Sequence, residues 1–140
     1  MIVVDTNIIA ASLISSRGDN RAVLRACLDG SAQPVIGEAL FLEYEDVMGR
    51  PRLFQQSPLS KPERQELLEA FLSVCEWVHV YYGWRPNLPD EGDNHLMELA
   101  VAADADWIVT NNVSDFRRAV LRFPEIGIIR PGEFIREMKL

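Results

Sequence analysis

The residues in this chain whose types and placing could do chemistry are acids. Asp5 follows a short apolar run, Glu43 sits within Glu38-Ala-Leu-Phe-Leu-Glu-Tyr-Glu-Asp46, Asp93 stands in Asp90-Glu-Gly-Asp-Asn-His95, and Asp115 comes shortly after Thr110. Two carboxylates about 5 Å apart repel by roughly 3 kcal/mol at an effective dielectric of about 20. Gathered together, such groups would cost more than one domain's stability readily absorbs, so they must take up protons or hold a cation. Hard carboxylate oxygens select Mg²⁺ or Mn²⁺. Such an ion lowers the pKa of a bound water and offsets charge on a leaving oxygen, which is the chemistry of phosphodiester hydrolysis and needs no catalytic His or Cys.

Each acid alone has a plainer reading. Asp5, Asp93 and Asp115 all precede expected helices and could be N-caps, each contributing about 1 kcal/mol. Glu43 could be a solvated helix residue. The case for a metal site is the set, so the elements that position it decide the matter.

Alternating strands and helices are expected along the whole chain. Ile2, Val3 and Val4 read as a buried central strand. Residues 8–13 open a first helix, and Asp19-Asn20 is the expected N-cap of a second over residues 21–28, ended by Gly30. Residues 34–37 read as a strand and 38–48 as a helix closed by Gly49 and Pro51. Pro62 marks the first turn of another helix. Residues 78–81 are the expected third strand, 82–92 a turn-rich loop, 94–103 a helix and 107–110 a strand. A short helix over 115–121, a strand over 127–130 and a terminal helix from Pro131 complete the pattern. Such βαβ alternation implies an α/β fold: a single-domain, three-layer α/β/α arrangement with a mostly parallel central sheet over residues 1–140.

Sheets of this kind bind ligands beyond the carboxyl ends of their strands. Strand ends and helix starts share one pole, so Asp5, Asp93 and Asp115 are expected on one rim. Glu43 borders the arc of Leu40, Phe41, Tyr44, Val47 and Met48 on its helix, and Glu45 borders the opposite edge at a similar angle. The helical wheel does not choose between them.

Composition bounds the partners. The chain has 140 residues, 48% of them hydrophobic, and a formal net charge of −7, which argues against a broad basic nucleic-acid face. Yet only Lys61 and Lys139 are lysines, and the remaining positive charge is arginine, the bidentate phosphate binder. The mainly apolar stretch 8–14 is too short to span a bilayer, so no membrane is expected. No signal-peptide pattern precedes Asp5. Cys27 and Cys75 match no metal spacing and are too few for a disulfide framework, which makes a reduced, cytoplasmic setting the expectation.

Ordered motifs then resemble a known family. Met1-Ile-Val-Val-Asp-Thr-Asn7, Leu42-Glu-Tyr-Glu-Asp-Val47, Asp93-Asn-His-Leu-Met-Glu-Leu-Ala100, Ile108-Val-Thr-Asn-Asn-Val-Ser-Asp-Phe116 and the closing Ile129-Arg-Pro-Gly-Glu-Phe-Ile135 resemble, in that order, PIN-domain ribonucleases. The likeness is to the VapC-like branch, the toxin components of bacterial toxin–antitoxin systems. It implies that Asp5, Glu43, Asp93 and Asp115 are catalytic and hold Mg²⁺ or Mn²⁺, with Thr6 or Asn7 and Thr110 or Asn112 as supporting polar groups. It also implies a homodimer, an RNA substrate and a cognate antitoxin protein. Related branches carry adjacent aspartates where this chain has Gly92-Asp93-Asn94, which keeps Asp90 in reserve for the third acid.

His79 reads as a structural strand residue, and His95 as solvent-facing or a substrate contact. Arg17, Arg21 and Arg25 share a helical register and read equally as a solvated face or an RNA phosphate track. Arg117, Arg118 and Arg122 follow Asp115 closely enough to contact RNA phosphate, while Tyr81, Tyr82 and Trp84 read as core or interface. The leading function is a metal-dependent endoribonuclease. The alternative is a catalytically inactive PIN-like module binding an antitoxin or RNA. An aspartyl-phosphate enzyme would want an acid two residues after Asp5, where Asn7 stands, and no Gly-rich nucleotide loop is present.

Overall fold

β-Branched residues at the start of the chain form the central strand of a parallel sheet. In the computed structural model, which describes residues 1–15, 17–80, 94–116 and 123–140, β1 is Ile2–Val4, with all its residues buried. The chain continues through α1 (Thr6–Ile14), α2 (Asp19–Leu28), β2 (Val35–Ile36) and α3 (Glu38–Met48). A 3₁₀ turn (Pro51–Phe54) leads to α4 (Lys61–Val74) and β3 (Glu76–Trp77). After α5 (Asn94–Ala103) come β4 (Trp107–Val109), a 3₁₀ turn (Val113–Phe116), β5 (Gly127–Ile129) and α6 (Pro131–Glu137).

Among the described residues, all the strand pairs are parallel. β1 pairs with β4 and β4 with β5, while β2 pairs with β3. A parallel bridge between Ile2 and Pro34 joins the two parts, giving the order β3-β2-β1-β4-β5. The chain runs outward from β1 through β2 to β3, then returns to the other side of β1 as β4. That reversal places a crevice at the carboxyl ends of β1 and β4, where open α/β sheets receive ligands. The α/β expectation is met.

Packing fixes the elements around the crevice. Val3, Ile8, Val23, Ile36, Leu96, Ile108, Phe116 and Phe134 are wholly buried in one core cluster, each such side chain worth about 1.5–3 kcal/mol in transfer terms. α5 lies against β1, β2 and β4, and α3 lies against α1 and α5. Tyr44 of α3 is fully buried, edge-on to Phe71 at 5.9 Å, and its hydroxyl donates to the Val4 carbonyl at 2.6 Å. That bond ties α3 to the end of β1. In the β4–β5 register Trp107 faces Gly127, and a Cβ on Gly127 would stand 2.3 Å from the indole, so the ring lies where a side chain would be.

Several boundaries differ from the sequence expectations. α2 begins at Asp19, with Gly18 in the capping position at φ 96 and no side-chain cap; Asp19 and Asn20 are its first helical residues. β3 is Glu76–Trp77, ahead of the expected 78–81. Cys75 leaves α4 in an extended conformation, so pairing begins at once, with Glu76 N–H donating to Pro34 and Val78 N–H to Ile36. β3 is an exposed edge, so the apolar run 78–81 was not its signal. At the start of the helix expected over 115–121 stands the 3₁₀ turn Val113–Phe116, where Asp115 N–H closes onto the Asn112 carbonyl. Residues 117–121 and the loop 82–92 lie outside the described residues.

Candidate active site

Asp5 leaves β1 at the crevice. Its backbone N–H donates to Val109 at 3.0 Å, which continues the β1–β4 ladder. Although Asp5 occupies the N-cap position of α1, it makes no side-chain capping bond. Instead its Oδ2 accepts from Thr110 Oγ1 at 2.7 Å and from Asn7 Nδ2 at 3.2 Å. The carboxylate is 4% exposed. Burial pushes its pKa up, and the Thr110 hydrogen bond pulls it down. Glu43 pushes it further up, the nearby Asn7 and Thr6 amides lower it, and the net shift is upward. Burial thus makes an ionised Asp5 costlier than it is in water, a cost that a nearby cation would offset.

Glu43 projects from α3 toward the same place. Its Oε1 accepts from Thr6 Oγ1, and its Oε2 lies 2.5 Å from His95 Nε2 of α5. Burial acts to raise its pKa, but the hydrogen bonds from His95 and Thr6, with the charges of His95 and Arg50, prevail and bring it below the usual value. Two neighbouring carboxyls are thereby pushed in opposite directions, as befits sites with distinct tasks. Glu45, the other residue the wheel left open, is exposed.

Asp5, Thr6, Asn7, Glu43, Asn112 and Asp115 all line one cavity of about 480 Å³. Thr110, fully buried beneath it, donates to Asp5 and accepts the Asn112 N–H at 3.0 Å. Asn7 extends the network outward, its Oδ1 accepting from Asn111. The structure therefore brings together Asp5, Glu43 and Asp115 with the supporting residues Thr6, Asn7, Thr110 and Asn112. Asp93 and Asp90 lie outside the described residues. Among the described residues, no three of the His, Cys, Asp and Glu side chains gather tightly enough to hold a metal ion. The donor chemistry nonetheless suits a hard cation: carboxylates face the cavity, one of them buried and disfavoured as a bare anion. A separate cavity of about 490 Å³, lined by Leu40, Trp77, Val80, His95 and Leu99, holds none of these three acids.

The arginines fall differently. Arg21 is half-buried and donates Nε to the Ser12 carbonyl at 2.7 Å, while Arg17 and Arg25 are exposed, and none of the three lines the acidic cavity. Arg117, Arg118 and Arg122 lie outside the described residues, as do Tyr81, Tyr82 and Trp84. His79 is exposed and lies beyond β3.

Two residues escaped the sequence reading. Arg50 lines the cavity and pairs with Asp46 at 2.5 Å; it lies beyond the end of α3, so helical periodicity gave no signal for it. His95, read as solvent-facing or a substrate contact, is instead half-buried against Glu43. No local signal gives that contact, since it depends on α3 packing against α5.

Residues 1–114 match the family model of the PIN domain. A similar fold is found in VapBC2 from Rickettsia felis, whose crystal structure is of the complex bound to a DNA fragment from their promoter. The TM-score is 0.56 at 19% identity, covering 93% of this chain and 98% of that one. Identity that low speaks for the fold alone. No curated protein matches the chain.

Proposed function

The chain belongs to the PIN-domain family, whose members are generally nucleases, and from that premise we propose that it is a divalent-metal-dependent endoribonuclease, the toxin of a toxin–antitoxin pair. The observation that carries the reading is the convergence of Asp5, Glu43 and Asp115 on one cavity at the β1–β4 crevice. Asp5, Glu43, Asp93 and Asp115 are the residues that would hold Mg²⁺ or Mn²⁺, with Asp90 in reserve for the third acid. Bound there, the cation would make water a nucleophile near neutral pH and offset the charge that builds on the leaving oxygen. Hydrolysis joins the water oxygen to phosphorus, breaks one P–O ester bond and returns a proton to the leaving oxygen.

The chain's own residues supply the positioning. Thr110 and Asn7 both donate to Oδ2 of Asp5 and set the plane of its carboxylate. Thr6 orients Glu43 from the start of α1. Arg50, exposed at the cavity, offers a planar donor fork suited to a backbone phosphate. Arg17, Arg25, Arg117 and Arg118 extend the proposed RNA track, and Arg21 contributes less because its Nε is committed to Ser12. The proposal includes residues 1–140 as one PIN-like domain, a homodimer in the cytoplasm, and an antitoxin segment that blocks the cavity.

One observation favours a second reading, an inactive PIN-like module that binds an antitoxin or RNA: the described acids do not close into a metal-sized cluster. Structured and unstructured RNAs incubated with Mg²⁺, Mn²⁺ or chelator, beside the Asp5→Asn protein, separate the two. The nuclease reading expects cleavage that chelator and Asp5→Asn both abolish, and growth arrest on expression. Absence of cleavage, with no Mn²⁺ binding by calorimetry, would establish the module instead.

A further inference from the structure

Glu43 is gripped at both of its oxygens. A glutamate on a helix surface keeps three rotatable bonds, and fixing them costs conformational entropy; here Thr6 holds Oε1 and His95 holds Oε2. The two clamps come from different elements, Thr6 from the first turn of α1 and His95 from the first turn of α5. An ionised carboxylate has about four lone-pair sites on its two oxygens, so each oxygen retains capacity for another partner.

His95 reaches Glu43 from behind. It lines the separate cavity beside Leu40 and Leu99 and is absent from the lining of the acidic one, so it is not placed to bind cation or substrate there. Its side chain is 19% exposed against 33% for Glu43. Its other ring nitrogen, Nδ1, is buried with no partner among the described residues. The bond to Glu43 orients the ring, and burying the other nitrogen without a partner carries a desolvation cost.

We propose that His95 is a positioning residue whose Nε2–H fixes Oε2 of Glu43, so that the carboxylate presents its remaining lone pairs to a divalent cation in the acidic cavity. The inference rests on the metal-dependent reading above. Groups that orient metal-binding side chains from outside the coordination sphere commonly change affinity or activity by about 10–100-fold when removed.

Three substitutions test it. Glutamine carries its amide nitrogen to about the reach of Nε2, asparagine only to that of Nδ1, and phenylalanine keeps a ring without a donor. His95→Asn and His95→Phe are expected to weaken Mn²⁺ binding by roughly 10–100-fold in calorimetry and to lower kcat for RNA with KM unchanged, while His95→Gln restores most of both. Should asparagine destabilise the fold, the phenylalanine and glutamine pair still separates donor from packing. Three results would overturn the role: Mn²⁺ affinity unchanged in both the asparagine and the phenylalanine variant, glutamine as impaired as asparagine, or a raised KM at unaltered kcat. If wild type binds Mn²⁺ and cuts RNA while these variants match it, the positioning role alone fails. If wild type does neither, the nuclease reading fails and takes this role with it.

Discussion

Replacing Asp5 by asparagine should stabilise the metal-free protein, a reversal of what removing a charged, hydrogen-bonded residue usually does. Asp5 is 4% exposed, so solvent screening softens its cost only in part. Taking a bare charge out of water costs several kcal/mol even after relaxation. Against that, the hydrogen bond from Thr110 falls from charge-assisted to neutral, a loss of about 1 kcal/mol. The amide oxygen can still accept from Thr110 and Asn7, and the repulsion from Glu43 disappears. The balance is a gain of roughly 1–3 kcal/mol, or about 3–9 °C in melting temperature for a domain of this size.

The assay is thermal unfolding by circular dichroism in EDTA, from pH 7 down to pH 4. A carboxyl whose pKa is raised on folding contributes stability that is complete below its unfolded value of 3.8 and lost as pH rises through the folded value. The variant's advantage should therefore be largest above the folded value and shrink on acidification toward 3.8. Excess Mn²⁺ should reverse the order, since a ligand at about 100 times its Kd stabilises wild type by roughly 2.7 kcal/mol. A variant melting at or below wild type in EDTA at pH 7, or an advantage unchanged at pH 4, would refute the electrostatic reasoning.

Glu43 should behave in the opposite sense: its pKa is lowered on folding, so its contribution is present above the unfolded value of 4.5 and fades as pH falls through the folded one; Thr6→Val removes one clamp and should shrink that acid-side loss in a stability–pH profile. Gly127→Ala forces a methyl to within 2.3 Å of the Trp107 ring and should cost about 1–3 kcal/mol in urea unfolding, with Trp107→Val in the same background restoring most of it. Tyr44→Phe strips the donor from the Val4 carbonyl and should cost about 1–3 kcal/mol by the same measurement; a neutral effect would mean another group satisfies that carbonyl.

Read alone, the amino-acid order determined the β/α alternation and its pole. Helical periodicity, Gly49 after α3 and Pro62 in α4 are local features, and local interactions set them; the bounds of α3 and α5 are as expected. Because strand ends and helix starts must share a pole in such a fold, Asp5 and Asp115 could be placed on one rim before any coordinates. The helical wheel reports angles about one axis only, so it left Glu43 and Glu45 level. The packing of α3 against α1 and α5 chose between them, bringing Thr6 and His95 to Glu43 and leaving Glu45 in solvent. The same holds for Arg50 at the cavity, for the Thr110 hydroxyl under Asp5, and for the start of β3, where the exit of α4 outweighed β propensity. Contacts between residues distant in the chain arise only when whole elements pack, and those contacts, rather than residue types, set the environments of Asp5 and Glu43.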